Sequence, residues 1–104
     1  MKVSILGTDY EVYEGDLNDR DFASAAGICY QYDKKIGFRQ QKFMAGDSDE
    51  AKQVRRSQVI YHELVHAFCM ESGVSYDDSE ELTDWIARMI PKIVEAHEKI
   101  MRGL

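Results

Sequence analysis

His62-Glu63-Leu64-Val65-His66 carries two imidazoles and a carboxylate at H-E-x-x-H spacing. On a helix, residues four apart stand one above the other on the same face. Two imidazoles so placed grip one metal ion from one side. The glutamate between them lies on the flank, within reach of a water that the ion activates. This is the spacing of a zinc-hydrolase helix. The surrounding run, Ser57 to Met70, has helical periodicity. At about 100° per residue, Ile60, Tyr61, Leu64, Val65 and Phe68 form a broad apolar arc, expected to face the core. His62, His66 and Cys69 lie on another face, beside Val59 and Met70.

A hydrolytic zinc takes three protein ligands and keeps one position for water. The downstream candidates for the third are Cys69, Glu71, Asp77, Asp78, Glu80, Glu81, Asp84 and His97. Cys69 stands seven residues from His62, about 10 Å along the axis of one straight helix. Glu71 points away on the same helix, and His97 is seventeen residues past Glu80, about 25 Å along a straight helix. Glu80 and Asp84 are four apart and share a face with Ala87, whose small side chain lets two helices approach. A ligand at Glu80 and a carboxylate at Asp84 that accepts the other ring N–H of a ligating histidine fit together. Glu81 is the competitor. With Asp78 it reads D-x-x-E, a capping box, which gives it a structural task. The helix-face reading favours Glu80 and leaves Glu81 open.

The motif helix is expected to begin at a cap formed by Asp47 or Ser48 and to end at Gly73 in the left-handed conformation. Lys2–Leu6 and Asp9–Glu14 read as a hairpin around Gly7-Thr8, with Val3, Ile5, Tyr10 and Val12 alternating. Asp16–Ala26 is expected to contain one or two helical turns. Gly27–Tyr32 and Ile36–Gln41 read as a second hairpin turning at Asp33-Lys34-Lys35, and its strands could pair with an extended peptide beside a metal cleft. Lys52–Arg56 reads as a solvated basic end. A second long helix starts near Ser79, has Leu82, Trp85, Ile86, Met89, Ile90 and Ile93 as its core face, and is expected to kink or break at Pro91. The expected fold is α+β, a small antiparallel or mixed sheet of three to four short strands on two long helices, in a single domain spanning 1–104.

Apolar residues make up 44% of the 104, enough for one packed core. A net charge of −6 argues against nucleic acid as partner. No apolar run is long enough to span a membrane, and Gly7 and Asp9 cut short the apolar start that a signal peptide needs. A cytoplasmic location is expected, with Cys29 and Cys69 as free thiols.

The run His62-Glu63-Leu64-Val65-His66 followed by Glu80-Glu81-Leu82-Thr83-Asp84-Trp85-Ile86-Ala87 resembles the gluzincin pattern, H-E-x-x-H then E-x-x-x-D. The chain is similar to small phage and bacterial metallopeptidases of the ImmA/IrrE type, closely from Ser57 to Ile90 and in plan before that. The resemblance implies a zincin-like fold, Zn2+ held by His62, His66 and Glu80, Glu63 as general base, and Asp84 supporting a ligand. It implies zinc-dependent cleavage of a protein or peptide, often a regulatory protein. The C-terminal lobe of thermolysin-type enzymes, with its oxyanion-stabilising histidine, has no counterpart, and the Leu-Met-Pro ending of the ImmA type stands here as Met89-Ile90-Pro91. A metzincin would need glycine at Cys69 and histidine at Ser72. Tyr76, in the loop between the ligands, is the expected oxyanion donor, with Tyr61 and Tyr30 behind it. The rival reading is a zinc-stabilised module that binds a protein partner without cutting it. An accidental motif without metal is a third. The oligomeric state is open.

Overall fold

A computed structural model describes residues 1–104. The fold is α+β, with a four-stranded mixed sheet and two 24-residue helices. Strands β1 (Lys2–Ile5) and β2 (Thr8–Gly15) form the first hairpin. Its two-residue turn is Leu6-Gly7, both at positive φ (51° and 88°), the twist that a tight hairpin requires. The turn therefore lies one residue earlier than the Gly7-Thr8 expected.

Strands β3 (Gly27–Tyr30) and β4 (Lys35–Arg39) form the second antiparallel pair. Their loop spans 31–34, so Tyr32 belongs to the turn and is 89% exposed rather than continuing the strand alternation. The sheet order is β1-β2-β4-β3, with β2 and β4 parallel and β3 at an edge.

No helix forms between Asp16 and Ala26. The Asp16 carboxylate accepts from the backbone of Asn18 (2.8 Å) and the Asp19 carboxylate from that of Asp21 (2.9 Å). Such local side-chain acceptors compete with helical bonding. The loop instead plugs the outer face of the sheet with Phe22, fully buried, whose carbonyl accepts from Arg39 Nε at 2.8 Å. Gly37 makes room for it, since a Cβ there would meet Phe22 and Tyr13 at 2.8 and 2.5 Å.

Helix α1 (Asp49–Ser72) crosses the other face of the sheet. Ser48 caps it, accepting from Ala51 N–H at 3.1 Å, and Gly73 at φ 73° ends it as expected. Its sheet-facing residues are Val59, Glu63 and Ala67, all buried. The expected arc is displaced. Ile60 and Leu64 reach the core from the flank, while Phe68 stays 44% exposed. Small Ala67 lets the sheet approach, so that Ile5, Tyr10 and Ile36 close around it. The end of α1 is tied down through Glu71, which accepts from Tyr10 Oη (2.9 Å) and Lys34 Nζ (2.7 Å).

Helix α2 (Glu80–Gly103) packs on a flank of α1 through buried Thr83 and Ala87. Ser79 is its cap, accepting from Leu82 N–H at 3.2 Å. The Asp78–Glu81 capping box does not form, because the cap falls one residue later and Leu82 occupies the position from which a carboxylate would reach back. Pro91 lies inside the helix without ending it.

Candidate metal centre

His62 and His66 lie in the notch of α1 between the residues that meet the sheet and those that meet α2. Each imidazole is oriented by a carboxylate. His62 Nδ1 is 2.9 Å from Asp84 Oδ1, and His66 Nδ1 is 2.7 Å from Asp77 Oδ2. With each ring N–H donated at Nδ1 to its carboxylate, the arrangement usual for metal-bound histidines, both Nε2 lone pairs face inward. These two nitrogens stand 3.2 Å apart. Glu80 brings Oε2 to 2.9 Å from His62 Nε2 and Oε1 to 3.1 Å from His66 Nε2. Two imidazole lone pairs and a carboxylate so close repel unless they share a cation. Donors bound to one tetrahedral zinc at 2.0–2.1 Å lie about 3.3 Å from each other. The donor set and its spacing thus fit such an ion.

Glu63 is the other carboxylate within reach, and the donor atoms of His62, Glu63 and His66 all lie within 4.8 Å of one another. Glu80 is nearer to both imidazoles, which makes it the better third ligand and leaves Glu63 free beside them. Glu63 is 6% exposed. Burial raises its pKa, against the lowering effect of His62 and His66.

The edge strand sets this position. A Cβ on Gly27 would fall 2.6 Å from Val59 Cγ1 and 3.0 Å from Glu63 Cγ and Oε2. Only glycine lets β3 approach α1 this closely. Gly27→Ala is expected to destabilise the fold by ~1–3 kcal/mol through overpacking, measured as a lower urea midpoint at unchanged slope. A midpoint equal to wild type would show that Val59 and Glu63 yield freely.

Two cavities open on the cluster. One, of about 250 Å³, is lined by Gly27, Arg55, His62, Glu63, Glu80 and Asp84 among others. The second, of about 340 Å³, lies along Gly27–Cys29 and reaches His66 and Met70. Arg55 is the sole cation lining either. The basic stretch is therefore not simply a solvated end, and its next residue, Arg56, pairs with Glu14 at 3.1 Å.

Asp77 escaped the sequence reading as an orienting group, being only one ligand candidate among many. No spacing rule marks it, because it reaches His66 from a loop. Of the remaining candidates, Cys69 is a buried free thiol, Glu71 is held by Tyr10 and Lys34, and Asp78, Glu81 and His97 are exposed. The expected tyrosines are elsewhere. Tyr76 is 69% exposed and, with Tyr61, lines an apolar groove rather than either cavity at the histidines. Tyr30 Oη donates to Asp21 at 2.6 Å. The short return from α1 turns Asp77 inward to His66, and neighbouring Tyr76 is turned away.

No family model matches this sequence, and no curated protein and no solved structure matches it.

Proposed function

We propose that this chain is a zinc-dependent endopeptidase of the gluzincin type, with His62, His66 and Glu80 holding the ion. The observation that carries the reading is the mutual spacing of the three donors, 2.9–3.2 Å, with both Nδ1 atoms engaged by carboxylates. Zinc there supplies Lewis-acid activation of water and of the scissile carbonyl. Glu63, buried beside the ligands, accepts the proton of the attacking water and passes it to the leaving amine. Arg55 supplies the positive charge at the cavity that Tyr76 is not positioned to replace.

The substrate is an extended peptide. Arg39 N–H donates to Ala26 O, and in an antiparallel pair the bonding direction alternates. The peptide groups of Gly27 and Cys29 therefore face the free edge of β3, available to a strand laid along the cleft. Two free thiols, Cys29 and Cys69, support a reducing, cytoplasmic setting, and no helix is long and apolar enough to cross a membrane. The test is zinc content of the purified chain, together with a mass-spectrometric search for new termini in a protein mixture. A chain that takes up no zinc would overturn the reading. The rival, a zinc-stabilised protein-binding module, draws support from the cleft's lack of a tyrosine, and the Glu63 variant discriminates it.

The orienting carboxylates offer a finer check. Asp77→Asn and Asp84→Asn each lower zinc affinity by about 10–100-fold, in titration against a competing chelator. The loss at Asp77 is the larger, since its side chain is 16% exposed against 49% for Asp84. Unchanged affinity in both would remove them from the site.

A further inference from the structure

The distal half of α2 stands away from the body of the molecule. Every residue from Lys92 to Leu104 is exposed. A free helix of a dozen residues is marginal in water, and this one carries an apolar stripe. Ile93, Ile100 and Leu104 are 58–100% exposed on one face, flanked by Val94 and Met101. The charges of Lys92, Glu95, Glu98, Lys99 and Arg102 occupy the opposite side. The stripe continues a line that begins at Ile86 and Ile90. Those two residues form one wall of a groove of about 390 Å³, whose α1 wall includes Leu64, Val65 and Phe68, and all eight residues lining it are hydrophobic.

We propose that the occupant of this groove is the distal α2 of a second copy of the chain, in a two-fold dimer with the α2 helices antiparallel. One helix carries both the groove wall and the free stripe on the same line. A two-fold axis crossing α2 between Pro91 and Ile93 lays each free half over the other copy's groove, so both grooves fill at once and the assembly closes. The lengths agree. The stripe from Ile93 to Leu104 is about 17 Å and the groove along Tyr61–Cys69 about 12 Å. Phe68, Ile93, Val94, Ile100, Met101 and Leu104, at roughly 100 Å² of exposed surface each, offer ~600 Å² per copy before the groove walls are counted. A stable dimer buries about 800 Å² per partner.

Charge complements shape. Residues 92–104 hold three cations against two acids, a net +1, so the rest of the chain carries −7 and the whole −6. The acids around the start of α2 that are not engaged by the histidines are Asp78 and Glu81, and the end of the helix is basic (Lys99, Arg102). Antiparallel helices set each acidic start beside the other's basic end. The mixed-sign polar face does not suit an anionic membrane, which selects a face rich in lysine and arginine.

Glu80 and Asp84 lie on the other side of α2, so the dimer leaves the metal cleft open and does not depend on the metal reading. The test is light scattering on size-exclusion eluate at tens of micromolar. Wild type and Glu63→Gln are expected at twice the 12.0 kDa chain mass. The double variant Ile93→Glu/Ile100→Glu, altered at two residues that are more than half exposed in the monomer, is expected at the monomer mass with unchanged circular dichroism. Phe68→Glu, at the groove, is also expected to be monomeric. Mixing the two restores one of the two stripe-in-groove contacts and yields a weaker heterodimer. A monomeric wild type, including one that instead binds vesicles or another protein, overturns the proposal. So does a dimer that survives Ile93→Glu/Ile100→Glu, or a mixture that stays monomeric.

Discussion

Replacing Glu63 with glutamine is expected to leave one zinc bound and to lower peptide cleavage by about 10²–10⁴-fold, the usual worth of a positioned general base. Glutamine keeps the shape of the side chain against Gly27 and Val59, and His62, His66 and Glu80 keep their contacts. What is lost is the ability to accept a proton. The same change tests what burial does to the carboxylate. Desolvation raises the Glu63 pKa in the fold. A carboxyl group raised above its unfolded value subtracts stability at pH values above both. The metal-free Glu63→Gln protein is therefore expected to melt no lower than metal-free wild type at neutral pH. Retained cleavage would dismiss Glu63 as the base. Zinc lost together with cleavage would make Glu63 a ligand, the alternative that its position within 4.8 Å of both imidazoles allows. Partner binding that persists with no cutting by wild type would favour the binding module.

Zinc itself is expected to be a large contributor to stability. Thirteen of 104 residues are buried, so the core is small and a bound ion weighs heavily against it. A ligand at about 1,000 times its Kd stabilises the folded state by ~4 kcal/mol. For a chain of this size each kcal/mol moves Tm by about 4–8 °C. Chelation is thus expected to lower Tm by ~15–30 °C in differential scanning calorimetry. Glu80→Ala is expected to abolish most of that difference, weakening zinc by more than the 10–100-fold that an outer carboxylate costs. Glu81→Ala, exposed and remote from the histidines, is expected to stay within about 0.5 kcal/mol of wild type. The reverse pattern would transfer the third ligand to Glu81.

The histidine pair shows how far local spacing carries. His62 and His66 share a face because a helix turns every 3.6 residues, and no long-range contact alters that. The same locality made the end of α1 at Gly73 readable, since a left-handed residue there needs no partner from elsewhere. The start at Ser48 was narrower: Asp47 was an equal candidate until the Ala51 N–H chose between them. Local reading failed where two local preferences competed. Between Asp16 and Ala26 the aspartates bonded to nearby backbone and unmade the expected helical turns. At the start of α2 a one-residue shift of the cap released Glu81.

The amino-acid sequence by itself determined an acidic α+β chain, its two long helices, and the pairing of His62, Glu63 and His66 on one of them. It also selected Glu80 and Asp84, because their four-residue spacing is again helical. Only the tertiary structure decided what meets that face. It inserted β4 between β2 and β3, made β3 an edge, pressed Gly27 against Glu63, turned Asp77 onto His66, brought Arg55 into the cavity and sent Tyr76 to the opposite groove. The physical reason is that periodicity fixes positions within a helix. Contacts between elements depend on loop paths and strand register, which no short window of residues contains.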